Sequence, residues 1–211
     1  MRRKDQMEIG IIGAGFVGEN LAKALSAKGH DVIFGVRNQH SPKVEEARAA
    51  LGPKVRFVSV KEAASAADMV ALTIPWSAVE DVVAHVGDWQ GKIVIDAVNR
   101  FGPNPPDSAG SAGQDLARLA QGARVVKAFN TIGAEHYNNP VIGGEKADLY
   151  ICGDDAEAKA AVGQLASELG FEVVDVGPLS AAAHTENFAK FWVHLARNVT
   201  GRDVAFKLLR G

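Results

Sequence analysis

The sequence predicts a doubly wound α/β domain, with a mostly parallel sheet of about eight strands and a small helical part at the C-terminus. Three observations carry this. Short apolar runs alternate with alanine-rich amphipathic stretches along nearly the whole chain. The runs are apolar at successive positions rather than alternate ones, as in parallel strands covered on both faces. The first run leads through Gly13-Ala14-Gly15-Phe16-Val17-Gly18 into the first helical stretch. That is the strand–turn–helix opening of a Rossmann-type dinucleotide-binding unit.

The elements follow in order. Residues 8–12 read as the first strand and 20–28 as the first helix. A second strand at 31–36, a helix at 43–51, a strand at 55–60 and a helix at 61–67 come next. The run 68–74 is the fourth strand, ended by Pro75, which has no N–H for a ladder. A helix at 77–86 and a strand at 92–97 precede residues 101–113, where prolines and glycines are too dense for a regular element. A helix at 114–120 and a strand at 124–129 resume the rhythm. Strands at 147–152 and 171–176 flank a helix at 157–169, with Gly170 as its C-cap. Residues 180–209 read as helical, with Phe188, Phe191 and Trp192 as core-packing rings. The expected division is a leader at 1–7, a dinucleotide-binding domain at 8–177 and a C-terminal helical segment at 178–211.

The chain has 211 residues, 47% hydrophobic and 23% charged, enough for one well-buried globular domain. A net charge of −2 gives no pull toward nucleic acid or a membrane surface. No apolar run reaches transmembrane length, and the polar leader lacks the pattern of a signal peptide. Cys152 is the only cysteine, so no intrachain disulfide forms, and a cytoplasmic setting is expected; the thiol reads as a small buried hydrophobe. The six histidines (30, 40, 85, 136, 184 and 194) show no metal-ligand spacing, so no metal is expected.

The glycine motif suits a dinucleotide. Gly13 permits the tight turn, Gly15 lets a pyrophosphate approach the backbone, and Gly18 lets the helix pack close to the strand. With Ala14, Phe16 and Val17 they present free N–H groups and the positive helix end to phosphates. At the end of the second strand, a site for NAD(H) usually offers a carboxylate to the ribose. Here Val36, Arg37 and Asn38 stand instead. The Arg37 guanidinium suits a 2′-phosphate and an adenine face, so NADP(H) is expected over NAD(H). A solvated surface arginine is the plainer reading.

Three more segments should reach the same sheet edge. Thr73, Ile74 and Pro75 form a rigid apolar shelf for a nicotinamide or adenosine face. Ala97 and Asn99 follow the fifth strand, and Asn130 and Thr131 follow the sixth, where they can hydrogen-bond a carboxamide or a substrate carbonyl. Ordinary turn chemistry explains Asn99 and Asn130 equally simply. Residues 101–113 are either an active-site lid or a surface connection. No acid–base constellation stands out, so no catalytic residue is nominated. Lys127 lies within a strand and Lys190 on the C-terminal helix, while His136 and His184 follow candidate ligand segments and read either as groups titrating near a substrate or, more plainly, as residues on the surface or just behind the site. Hydride transfer between stacked rings needs mainly alignment and exclusion of water.

These strings resemble the NADP oxidoreductases that depend on the deazaflavin coenzyme F420. The likeness runs from Gly13–Gly18 through Gly35-Val36-Arg37, Leu72-Thr73-Ile74-Pro75-Trp76 and 125–132 to Cys152-Gly153-Asp154-Asp155, 176–179 and Glu186. It implies a Rossmann domain with a small helical C-terminal part, and a homodimer. It also implies that Val36, Arg37 and Asn38 surround the 2′-phosphate, and that Pro75, Ile132 and Ala134 lie near the nicotinamide. Phe129-Asn130-Thr131-Ile132 is also similar to the NADPH-binding domain of membrane ferric and cupric reductases, which passes hydride to a flavin. The expected activity is hydride transfer between NADPH and coenzyme F420 or a flavin (FMN or FAD). The alternatives are a reductase of a small imine or hydroxy acid and a non-catalytic module that senses NADP(H).

Overall fold

The computed structural model describes residues 6–53 and 55–211, so most of the expected leader, residues 1–5, lies outside the described residues. From β1 (Glu8–Ile12) the chain passes through α1 (Phe16–Ala27), β2 (Asp31–Val36), α2 (Pro42–Leu51) and β3 (Arg56–Ser59). There follow α3 (Val60–Ala66), β4 (Met69–Leu72), α4 (Val79–Val86), β5 (Ile93–Asp96), α5 (Ala112–Leu119) and β6 (Arg124–Lys127). A small hairpin of β7 (Val141–Ile142) and β8 (Glu145–Lys146) precedes β9 (Asp148–Gly153), α6 (Ala156–Leu169), β10 (Glu172–Asp175) and α7 (Ala182–Asn198).

The main sheet has eight strands in the order β3-β2-β1-β4-β5-β6-β9-β10. The first six positions are the Rossmann order, all parallel. β9 joins β6 antiparallel, with Lys127 opposite Cys152, and β10 runs parallel to β9. The sheet is therefore mostly parallel, as the continuous apolar runs predict. The continuous apolar runs are buried on both faces: Ile9, Ile11 and Phe34 pack with Leu21, Leu25 and Val162 on one side. On the other side, Ile12, Leu72 and Val94 pack with Val82, Val86 and Leu116. α1, α2 and α6 cover the first face; α3, α4, α5 and α7 cover the second.

Local chemistry fixes several starts. Ser41, Ser59, Ser111 and Asp155 cap α2, α3, α5 and α6 by accepting backbone N–H bonds. α1 starts at Gly15 with no side chain on its free N–H groups.

Three expectations need correction. α1 begins at Phe16 rather than 20, so Gly18 lies inside the helix. The C-terminal helix stops at Asn198, not 209, where Gly201 takes a φ of 80° and the chain leaves as an extended tail. That tail is tied down by Trp192 Nε1 donating to the Val204 carbonyl and by Asp148 N donating to the Phe206 carbonyl. Of the rings expected in the core, Trp192 is buried, but Phe191 is 49% exposed and stacks on Phe206. No helix among the described residues is long and apolar enough to cross a membrane.

Candidate functional site

The C-terminal ends of the parallel strands bring the glycine turn, the end of β2 and the segments after β4 and β5 to one edge. Gly13 has a φ of +115°, and a Cβ there would come within 2.8 Å of the Thr73 carbonyl oxygen. A Cβ on Gly18 would overlap the Gly13 carbonyl oxygen and lie 2.7 Å from Thr73 Oγ1. Thr73 Oγ1 donates toward the Gly13 carbonyl at 2.9 Å, which locks the turn to the shelf after β4. Gly15 differs: a Cβ there would meet only Lys43 Nζ, at 3.7 Å. Gly13 and Gly18 thus serve packing, whereas Gly15 keeps an open face beside an ammonium.

Two cavities lie along this edge. The first, of about 320 Å³, runs from Gly13, Ala14 and Gly15 past Val36, Arg37 and Asn38 to Ser41 and Lys43. Arg37 and Asp81 face each other at 3.6 Å with both side chains well exposed, so the pair contributes little and the guanidinium can change partner. Lys43 was not singled out from sequence. Its signal was the Ser41-Pro42 helix start, which places the next residue in the first turn of α2, facing the glycine loop.

The second cavity, of about 940 Å³, shares Thr73, Ile74 and Pro75 with the first. Val17, Ala97 and Asn99 line it, and residues 101–106 form its outer wall. The proline-rich segment is therefore neither a free lid nor a remote connection. Asp115 accepts bonds from Ala109 N at 2.6 Å, from Ser108 Oγ at 2.7 Å and from Arg100 Nη2 at 2.5 Å. The Arg100 guanidinium stacks 4.0 Å above the Trp76 ring. Burial alone would raise the Asp115 carboxyl, but these donors hold it below the ordinary carboxylate range.

Beneath the cavities sits a sealed cluster of charge. Lys127 Nζ lies 3.0 Å from Asp96 Oδ2 and 3.1 Å from Glu186 Oε1, and also donates to the Val98 carbonyl. Glu186 accepts from the first N–H groups of α5, Ala112 at 3.1 Å and Gly113 at 3.0 Å. Burial pushes the Asp96 carboxyl above its ordinary value despite the Lys127 ammonium, and pushes the Cys152 thiol up to about 12. Cys152 is thus the inert buried residue expected of it.

The later segments are placed differently from the glycine loop. Asn99 Nδ2 donates to the Asn130 carbonyl at 3.1 Å, and Asn130 Nδ2 returns a bond to Asn99 Oδ1 at 3.1 Å. Asn130, Thr131, Ile132 and Ala134 are buried, and Asn130 Oδ1 and Thr131 Oγ1 have no hydrogen-bond partner among the described residues. Phe129 holds them there with a left-handed φ of 63°, its carbonyl bonded by Tyr137 Oη at 2.6 Å. Phe16 faces outward, 5.7 Å from the Arg202 guanidinium of the C-terminal tail. His136 is engaged by the Arg202 carbonyl at 3.0 Å.

Known proteins resemble this chain in sequence and fold. Residues 8–100 match the family described as NADP oxidoreductase, coenzyme F420-dependent. The chain is 29% identical to the F420-dependent NADP reductase of Methanothermobacter thermautotrophicus, over 90% of this chain and 89% of that protein. It is 31% identical to the rat metalloreductase STEAP3 over 87% of this chain, but spans only 36% of that protein's length. A solved structure from Arthrobacter sp. FB24, described as an F420-dependent NADP-reductase, superimposes with a TM-score of 0.85 at 27% identity, covering 97% of this chain and 100% of that one.

Proposed function

We propose that the chain is an NADP(H)-dependent oxidoreductase of the coenzyme F420-dependent kind, exchanging a hydride between NADPH and a flat ring acceptor; the family match over residues 8–100 and the likeness to F420-dependent NADP reductases support this. The observation that carries this reading is the pairing of a side-chain-free glycine face with two cations. Gly15 is open, the helix start behind it is uncapped, and Arg37 and Lys43 flank the same cavity. The residues that end β2 themselves offer no carboxylate to the ribose, and Asp81, which faces Arg37 from α4, gives up that exposed pair to a 2′-phosphate.

In this reading the N–H groups from Ala14 to Gly18 hold the pyrophosphate. Val36, Arg37, Asn38 and Lys43 hold the phosphorylated ribose. Thr73, Ile74 and Pro75 form the shelf between the two cavities, with Ala97 and Asn99 on its far side. Asn130, Thr131, Ile132 and Ala134 back the nicotinamide end. Bound NADPH supplies the hydride; the chain supplies alignment and a wall against water. No side chain is required to deliver a proton, which suits a second cavity whose ionisable lining group, Arg100, is held by Asp115. The unit at 8–177 holds the cofactor, and 178–211 braces it. A homodimer working in the cytoplasm completes the proposal, and light scattering reads the first part of it.

The test is stopped-flow oxidation of NADPH with coenzyme F420, FMN, FAD and ferric chelates offered in turn. Saturable oxidation with a ring acceptor supports the reading. NADPH binding without oxidation by any acceptor contradicts it and leaves a cofactor-sensing module.

A further inference from the structure

We propose that Asp115 is the positioning residue of the acceptor side: it holds residues 100–110 as a ready-made wall of the second cavity, and so sets how tightly the ring acceptor binds without touching it. This rests on the reductase reading and deepens it by separating the residues that serve the acceptor from those that serve NADPH.

Residues 101–106 line the second cavity together with Trp76 and Arg100. Local forces hold them weakly. Residues 101–107 are all exposed, so burial does little to fix them. Pro103, Pro105 and Pro106 have no N–H to donate. Among the described residues, the stretch makes one backbone–backbone bond, from Ser108 N to the Pro105 carbonyl at 3.0 Å.

Side chains hold the stretch instead, and they converge on one carboxylate. Asp115 Oδ2 accepts from Arg100 Nη2 and Ser108 Oγ, and Oδ1 accepts from Ala109 N. Arg100 Nη1 extends the net to Asn104 Oδ1 at 2.9 Å and Ser108 Oγ at 3.2 Å. Asn104 Nδ2 closes it on the Gly110 carbonyl at 2.8 Å. The Arg100 guanidinium also covers the Trp76 ring, 4.0 Å from its centroid. Asp115 itself lies on α5, is 2% exposed and stands outside the cavity lining, so it acts through these partners.

Asp115→Asn keeps the shape but not the acceptors. An amide has one acceptor oxygen, whereas the carboxylate takes Ala109 on one oxygen and Arg100 with Ser108 on the other. Arg100, left with an uncompensated charge, turns to water and releases Asn104 with it. The wall then stands in place in only a fraction of the molecules, and the apparent affinity for a ring falls by that fraction. A saturating ring draws the wall back, so the change falls on KM and not on kcat. The lining of the first cavity includes none of this net, so NADPH affinity holds.

The test compares wild type, Asp115→Asn and Val162→Ala, a truncation in the core on the opposite face of the sheet that lowers stability without reaching the wall. Calorimetric titrations give separate Kd values for coenzyme F420, FMN and NADPH. Steady-state NADPH oxidation gives kcat and the KM for each ring. Asp115→Asn should raise the ring Kd and KM about tenfold and leave kcat and the NADPH Kd within about twofold. Val162→Ala should leave all four near wild type. Ser108→Ala, which removes one strut and no charge, should move the ring constants the same way by about threefold, and it keeps the test decisive if Asp115→Asn does not fold. Unchanged ring constants in the wall variants overturn the inference. So does an equal loss of NADPH affinity, or the same pattern in Val162→Ala, since either marks general destabilisation. Failure of both rings to bind the wild type also overturns it. Ring binding that the wall variants weaken selectively, with no NADPH oxidation in any protein, supports the positioning role and defeats the reductase reading instead.

Discussion

Lys127 Nζ and Asp96 Oδ2 stand 3.0 Å apart, with both side chains fully withdrawn from solvent. Around them the ends of β5 and β6, the start of α5 and Glu186 on α7 meet. Lys127 and Asp96 both also bond the backbone of Val98, one residue before Asn99, which lines the second cavity. The cluster therefore couples the stability of the C-terminal helix to the shape of the site.

Lys127→Met should cost about 3–5 kcal/mol in urea denaturation, because two buried carboxylates lose their counter-ion. The loss has a pH sign. Burial already holds the Asp96 carboxyl above its ordinary value, and removing the ammonium raises it further. A carboxyl raised in the folded state takes up protons on folding, so its stability contribution falls as pH rises through the folded value. The variant should thus be weaker at about pH 8 than at about pH 5. A loss well under 1 kcal/mol at both would contradict the role given to Lys127.

The wall of the second cavity should loosen in acid. The Asp115 carboxyl lies below its ordinary value, held down by Ala109, Ser108 and Arg100 against the effect of burial. A depressed folded value gives stability that is complete above the unfolded value and is lost as pH falls through the folded one. The readout is Trp76 emission, the difference between wild type and Trp76→Phe, since Arg100 covers that ring. It should shift only below the ordinary carboxylate range. Asp115→Asn should already show the shifted emission at neutral pH, and unchanged emission in that variant would refute the linkage.

Two glycine substitutions should separate packing from binding. Gly18→Ala forces a methyl into the Gly13 carbonyl and should cost about 1–3 kcal/mol of stability. Gly15→Ala meets only Lys43 Nζ at 3.7 Å. It should cost less than about 1 kcal/mol yet weaken NADPH binding, because the methyl occupies the face left for the pyrophosphate. Comparable stability losses for both would show that Gly15, too, is a packing residue.

Much of the fold was legible because parallel strands buried on both faces leave continuous apolar runs, as at Met69–Leu72. The glycine turn and Arg37 were legible because their spacing is local. The antiparallel entry of β9 was not, because an apolar run carries no direction. The C-terminal boundary failed because residues 199–209 are apolar enough to pack, and packing here uses an extended tail. Lys127 was read as a strand residue; its partners Asp96 and Glu186 lie 31 and 59 residues away, and only the sheet brings them together. Lys43 escaped for a similar reason, since its meeting with Gly15 depends on how α2 packs on α1.

The most direct measurement is a pair of titrations, NADPH and NADH, on the wild-type chain, Arg37→Ala and Lys43→Ala. NADPH should bind more tightly than NADH to the wild type. Arg37→Ala should weaken NADPH by roughly 1.5–3 kcal/mol, the worth of a charge-assisted hydrogen bond, while leaving NADH nearly unchanged. Equal losses for the two nucleotides, or none for either, would mean that the 2′-phosphate does not sit against this guanidinium.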